Sequence, residues 1–218
     1  MGQAELIAAS LPLLLKGLAY TVALALFGMG AGLALGFGLA LMRLSPLAAL
    51  RWPAGVYVSA VRGTPLLVQL FLIYYGLPQL GLELSPLVAA GAGFALNMAA
   101  YACEILRSAI AAVDRGQGEA AAVLGLSPAQ TLVFITLPQA ARTAIAPLSN
   151  SFISLVKDTS LAATIQVPEM FRQAQLITAR TFEIFTLYLA SAALYWLVCS
   201  LLAAAQTRLE RRVARGRR

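Results

Sequence analysis

Four ionisable side chains stand inside stretches that are otherwise apolar enough for a lipid bilayer: Arg62, Glu104, Lys157 and Asp158. A charge in hydrocarbon is costly, so such groups face protein or a water-filled cavity, where they mark solute pathways or pair with one another. Arg62 precedes Gly63-Thr64-Pro65. Pro65 has no backbone donor and disfavours helix at Thr64, so a span breaks beside a charge. Arg62 then either reaches a cavity or anchors at the headgroups. Asn97, Tyr101, Glu104 and Ser108 fall at helical spacing on one side, and Glu104 lies three residues before Arg107, close enough to pair with it. Asn150, Ser154 and Asp158 repeat every four residues and share a helical face, whereas the adjacent Lys157 and Asp158 point apart. This set could recognise a polar solute within a membrane, or simply hold spans together. The chain has no histidine, which excludes histidine-based catalysis or metal binding. Cys103 and Cys199 fall within predicted spans and read as small buried hydrophobes, so no metal site is expected.

The elements that must position these groups follow from composition. Of 218 residues, 60% are hydrophobic and 11% charged, against roughly 25% charged in soluble domains. A spanning helix needs roughly 20 apolar residues. The pattern gives an all-α integral membrane protein in a single transmembrane domain, residues 1–218, with about five spans at 18–42, 52–75 (broken at 62–65), 86–106, 144–165 and 185–205. Ser85-Pro86 is a start signal for the third span. Gly28, Gly32 and Gly36 line one face of the first, either as an intrachain packing seam, the simpler reading, or as a subunit interface. The first ten residues lack a basic n-region and do not read as a signal peptide.

The net charge is +7, but six arginines (Arg208, Arg211, Arg212, Arg215, Arg217 and Arg218) crowd the last eleven residues, directly after an apolar run. That placement marks a cytoplasmic flank that can touch anionic lipid, and argues against a nucleic-acid partner. Putting Arg43, Arg51, Arg115, Arg142 and this tail inside requires an odd number of spans, with the N-terminus outside and the C-terminus inside. Residues 114–138 form a polar segment between spans three and four. A short helix at 119–124 ends at Gly125 in the C′ position, and Ser127-Pro128-Ala129-Gln130 makes a capping box that opens a second helix. Residues 166–182 form a polar connection in which Pro168-Glu169 starts a further short helix.

The order Glu119-Ala120-Ala121, Gly125, Ile135, Leu137-Pro138 resembles the signature of bacterial ABC-importer permease subunits. Further segments are similar to the polar amino-acid (histidine/glutamine-type) branch: Arg62-Gly63-Thr64-Pro65-Leu66-Leu67-Val68-Gln69, Tyr101 with Glu104-Ile105 and Arg107, Ser154-Leu155-Val156-Lys157-Asp158-Thr159-Ser160-Leu161, and Arg172-Gln173-Ala174-Gln175. Gly118 and Ser59 depart from the commonest pattern, which has an aromatic at the first and often an acidic residue at the second. The resemblance implies a multi-pass subunit of the bacterial cytoplasmic (inner) membrane that moves a polar amino acid inward. It also implies a cytoplasmic coupling helix, within residues 114–138, held by a separate ATPase. No G-x-x-x-x-G-K-[ST] phosphate loop occurs, so this chain is not expected to be an enzyme or to bind a cofactor; ATP and Mg would sit on the partner ATPase. The other implied partners are an extracytoplasmic solute-binding protein, a second permease copy or paralogue, the amino acid and the bilayer.

A zwitterion needs a cation for its carboxylate, with Arg62 and Lys157 as candidates. It needs an acceptor for its ammonium, with Asp158, Glu104 and the Asn97 oxygen as candidates. Thr64, Gln69, Thr159 and Ser160 complete the expected pathway. The alternatives are an ion-coupled secondary carrier, a non-transporting membrane anchor, or an ABC importer for cystine, an opine or a compatible solute. One outcome checks the orientation. In a cysteine-free background, Gln130→Cys should react with a membrane-impermeant maleimide in inverted vesicles and not in right-side-out ones; the opposite pattern would overturn it.

Overall fold

The computed structural model describes residues 2–215, with side chains to Val213, so Arg217 and Arg218 of the basic cluster lie outside the described residues. Those described residues form helices and no strand. The helices are α1 (Gln3–Leu44), α2 (Ala48–Arg62), α3 (Leu66–Phe71), α4 (Pro86–Ala111), α5 (Arg115–Val123), α6 (Pro128–Gln130), α7 (Leu137–Asp158), α8 (Met170–Thr181) and α9 (Ile184–Arg215).

The pairing of α1 with α4 is dictated by glycine. Gly28, Gly32 and Gly36 are all buried in α1. A Cβ on Gly32 would come within 2.5 Å of the Met98 Cβ, one on Gly28 within 2.9 Å of the Phe94 Cβ, and one on Gly36 within 2.7 Å of the Ala102 Cβ. The glycine face is therefore an intrachain seam, which lets the two backbones approach closely. Leu24, Phe94 and Met98 from this seam join Leu70 of α3 and Leu155 of α7 in the main core.

Three described helices are long and apolar enough to cross a membrane: α1, α4 and α9. A fourth crossing can be made by α2 with the segment Leu66–Leu80, but the two halves are bent by 104°. The break at 62–65 is thus a sharp redirection of the chain, not a local interruption of one straight span. The expected span at 144–165 corresponds to α7, which stops at Asp158 and gives way to a 3-10 segment, Thr159–Ile165. It is not apolar enough to count by composition, because one of its faces carries Asn150, Ser151, Ser154 and Asp158.

Several boundaries differ from the sequence expectation: α4 runs on to Ala111, beyond 106, and α9 to Arg215, beyond 205. Helix α1 begins at Gln3, not near 18, and with 42 residues is about 63 Å long. Lys16-Gly17 does not interrupt it; instead Gly17 admits the start of α8, since a Cβ there would lie 2.7 Å from the Met170 Cα. Helix α5 begins at Arg115, not at 119, because the Asp114 carboxylate accepts from the Gly116 N–H at 2.7 Å and caps it earlier.

The seam generates a matched test. Gly32→Ala should destabilise the detergent-solubilised protein by about 1–3 kcal/mol through overpacking against Met98. Gly38→Ala, where nothing lies within 4 Å, should be neutral or stabilising by up to about 1 kcal/mol. Thermal melts of the two variants check the contrast.

Candidate functional site

The sharp turn between α2 and α3 leaves backbone groups that need partners. Three of the last four carbonyls of α2 are met locally. Gly63 N–H donates to Ser59 O (2.9 Å), the Thr64 hydroxyl donates to Ala60 O (2.9 Å), and the Gln69 amide donates to Val61 O (2.8 Å). Gln69 Nε2 also lies 2.9 Å from Thr64 Oγ1 and 3.2 Å from Thr64 O. Its own oxygen accepts from the Asn97 amide of α4 at 3.0 Å. Irregular backbone at membrane depth is tolerated only where protein satisfies it, and Gln69 does so here while tying the turn to α4.

Beside this brace opens a polar cleft of about 570 Å3, walled by Thr64–Leu66 at the turn, Asn97, Met98 and Tyr101 of α4, and Asn150, Ser151, Ser154, Leu155 and Asp158 of α7. The four-residue repeat on α7 thus faces the cleft as a unit. Asn150 Oδ1 is held by the Gln206 amide of α9 at 3.0 Å, which leaves its amide N–H groups as the cleft donors. The Arg62 guanidinium carbon lies 5.4 Å from the centre of the Tyr101 ring, within cation–π range. The cleft therefore offers one carboxylate, several hydroxyls and amides, and a cation at its edge.

The remaining expected pathway residues lie elsewhere. Glu104 is not part of the wall; it pairs with Arg107 at 2.8 Å and with Arg43 of α1 at 3.5 Å. Lys157 is exposed away from the cleft. The Thr159 and Ser160 hydroxyls turn back to Val156 O (2.7 Å) and Lys157 O (2.8 Å).

The segment from 114 to 138 keeps the expected turn chemistry. Gly125 has φ 79. Its N–H donates to Ala122 O, and that of Leu126 to Ala121 O, both at 3.0 Å, the paired bonds of a Schellman end. The Ser127–Gln130 capping box is formed, at 2.8 and 3.3 Å. The second half is not a separate helix: α6 passes through a π-helical turn, Thr131–Thr136, directly into α7. The Leu137 N–H reaches back to Leu132 O, which accommodates the missing donor of Pro138. Ala121 is buried, Ile135 and Leu137 are half-buried, and Glu119, Ala120, Gly125 and Pro138 are exposed. Because α5 starts at Arg115, Glu119 lies beyond the first turn and gains little from the helix dipole. Val123 and Leu124 are 87% and 80% exposed, and Phe134 is 66% exposed.

Sequence reading missed Glu169 as a hub. Fully buried, it accepts from the Phe171 and Arg172 N–H groups (2.9 and 2.6 Å), the Tyr195 hydroxyl of α9 (2.9 Å) and the Thr21 hydroxyl of α1 (3.4 Å). Its position after Pro168 signalled only a helix start; the partners on α1 and α9 are remote in sequence.

The brace can be checked by a double-mutant cycle. Gln69→Leu should cost about 0.5–1.5 kcal/mol by removing the donor that the Val61 and Thr64 carbonyls share. Combined with Asn97→Leu, it should cost at least about 0.5 kcal/mol less than the sum of the single changes. Thermal melts give all four corners.

Comparison with known proteins now adds to this geometry. The sequence pattern described as "Binding-protein-dependent transport system inner membrane component" matches residues 28–215. The probable amino-acid ABC transporter permease protein YckA of Bacillus subtilis (strain 168) is 47% identical, over 94% of this chain and 91% of its own. The L-cystine transport system permease protein TcyB of the same organism is also 47% identical, over 94% and 88%. A crystal structure of an amino acid ABC transporter with histidines superposes with a TM-score of 0.91 at 34% identity, covering 97% of this chain and 99% of that one. A chain with this fold and this extent of match belongs to the binding-protein-dependent transport system inner membrane components, as a non-enzymatic permease subunit of an ABC transporter.

Proposed function

We propose that this subunit carries a polar amino acid inward across the bacterial cytoplasmic membrane, through the cleft between the α2–α3 turn, α4 and α7. The observation that carries the reading is the convergence of Thr64, Asn97, Tyr101, Asn150, Ser154 and Asp158 on one cavity, whose volume lies in the range of ligand clefts, about 300–1,000 Å3. Asp158 accepts from the substrate ammonium. The carboxylate is met by the Asn97 and Asn150 amides and the Tyr101 hydroxyl, with Arg62 at the rim. Cystine, named for one relative, carries such zwitterionic heads, so the cleft reads the head. The ion-coupled carrier considered from sequence falls away with family membership.

Members of this family work with an ATPase and a solute-binding protein. We infer that the ATPase receives residues 114–138, with Glu119, Ala120, Ala121, Gly125, Ile135, Leu137 and Pro138 shaping the element it grips, and that two permease copies or paralogues face one another. The support is a set of exposed apolar side chains, Val123 and Leu124 at the end of α5, which Gly125 fixes, and Phe134 in the π-helical turn that follows α6. Because α6 runs on into α7, a displacement at Phe134 is carried along one continuous helical stretch towards the polar wall of the cleft. Alternating access then follows if ATP binding favours one arrangement over the other.

Two variants separate the halves of this reading in vesicles reconstituted with the ATPase and binding protein. Asp158→Asn should cut amino-acid uptake about tenfold or more while the ATPase still co-purifies, and Lys157→Gln should leave uptake near wild type. Leu124→Asp, at a site too exposed to disturb folding, should abolish co-purification of the ATPase. Normal uptake in Asp158→Asn would remove the cleft from the pathway, and normal ATPase recovery in Leu124→Asp would remove the docking role.

A further inference from the structure

A second polar groove lies away from the cleft, where the end of α1 meets the start of α2. It encloses about 580 Å3 and is built from Arg43 of α1 and one face of α2, including Arg51, Trp52, Gly55, Val56 and Ser59. Neither the transport pathway nor the segment at 114–138 uses it.

Charge is unbalanced there. Glu104 is the carboxylate within reach, and it is already gripped by Arg107 through three contacts of 2.8–3.2 Å. Arg43 reaches it with one nitrogen at 3.5 Å, a marginal bond. The Arg43 Nε is buried and has no hydrogen-bond partner among the described residues. Its Nη1 lies across Gly55, 2.6 Å from where a Cβ would stand, so the missing side chain is what lets the guanidinium reach into the groove. Arg51 is exposed on the same rim. Three arginines against one carboxylate leave the neighbourhood with an excess of two positive charges.

The other wall is made for lipid. Trp52 is 73% exposed and Val56 49%, with Leu47 at 62% beside them. An exposed tryptophan flanked by arginines at the end of a span is the pattern of the bilayer interface. A guanidinium with free donors prefers a planar or tetrahedral oxyanion. Basic pockets between helices at a membrane surface take anionic headgroups.

We propose that this groove is a binding site for an anionic phospholipid. The lipid phosphate lies between Arg43 and Arg51, where it meets the terminal guanidinium nitrogens that line the groove. The glycerol edge packs on Trp52, and the upper acyl chain follows the shallow channel over Gly55 and Val56. Occupancy would hold Arg43, and through Glu104 the middle of α4, in one arrangement. The site needs only that α1 and α2 are membrane-embedded, so its failure would leave the transport reading intact.

Tryptophan quenching tests it on the full chain. The sequence has two tryptophans, so Trp196→Phe leaves Trp52 as the sole reporter. In phosphatidylcholine vesicles, brominated phosphatidylglycerol should quench Trp52 with roughly fivefold or greater preference over brominated phosphatidylcholine. Arg51→Gln, which breaks no hydrogen bond among the described residues, should bring the preference close to unity while the melting temperature stays unchanged. Equal quenching by both lipids in the parent variant, or an undiminished preference in Arg51→Gln, would overturn the proposal. So would quenching by neither, which would mean that a protein surface covers the groove. Loss of the preference on adding millimolar inorganic phosphate at constant ionic strength would assign the site to a free anion and equally overturn it.

Discussion

The requirement that every buried backbone group find a partner without help from water governs this structure. A chain that simply crossed the membrane as straight rods would meet it trivially and would have no place for a polar solute. This chain breaks its helices, and each break is answered by a side chain. Gln69 closes the end of α2 and ties it to Asn97. Ser127 and Gln130 cap α6 reciprocally. Glu169 caps α8 while gathering hydroxyls from α1 and α9. The polar residues that make the cleft possible are therefore partly the same ones that keep the interrupted backbone affordable at that depth.

The glycine seam and the polar cleft are two sides of one packing solution. Close approach of α1 to one face of α4, at Phe94, Met98 and Ala102, turns Asn97 and Tyr101 towards the α2–α3 turn and α7. Lower on α4, Glu104 gathers Arg107 and Arg43. These charges are near the membrane end of the helix, where a partly exposed ion pair is tolerated, and they steer α1 relative to α4 more than they add stability. The acidic group that lines the cleft is Asp158, set among neutral hydroxyls and amides.

Mechanical continuity separates the two ends of the 114–138 segment. Its first half stops abruptly at a left-handed glycine. Its second half does not stop at all but feeds through a π-helical turn into α7. A proline that would ordinarily mark a boundary, Pro138, is absorbed by the wider hydrogen-bond spacing of that turn. The exposed Phe134 thus sits on the same continuous helical stretch as the wall that carries Asn150, Ser154 and Asp158.

Much of this was legible from residue order. Helical class, the break at Arg62-Gly63-Thr64-Pro65, the turn at Gly125, the capping box at Ser127 and the shared face of Asn150, Ser154 and Asp158 are local properties. They follow from proline's missing donor, glycine's access to positive φ and the 3.6-residue period. The 104° bend, the pairing of Gln69 with Asn97, the reach of Arg43 on α1 to Glu104 and the burial of Glu169 between three helices were not legible. Each depends on which distant side chain arrives at a given point, and spacing along one helix carries no information about its neighbour. Sequence alone determined which groups would need partners; the tertiary structure decided who the partners are, and so which polar groups were left over to meet a solute.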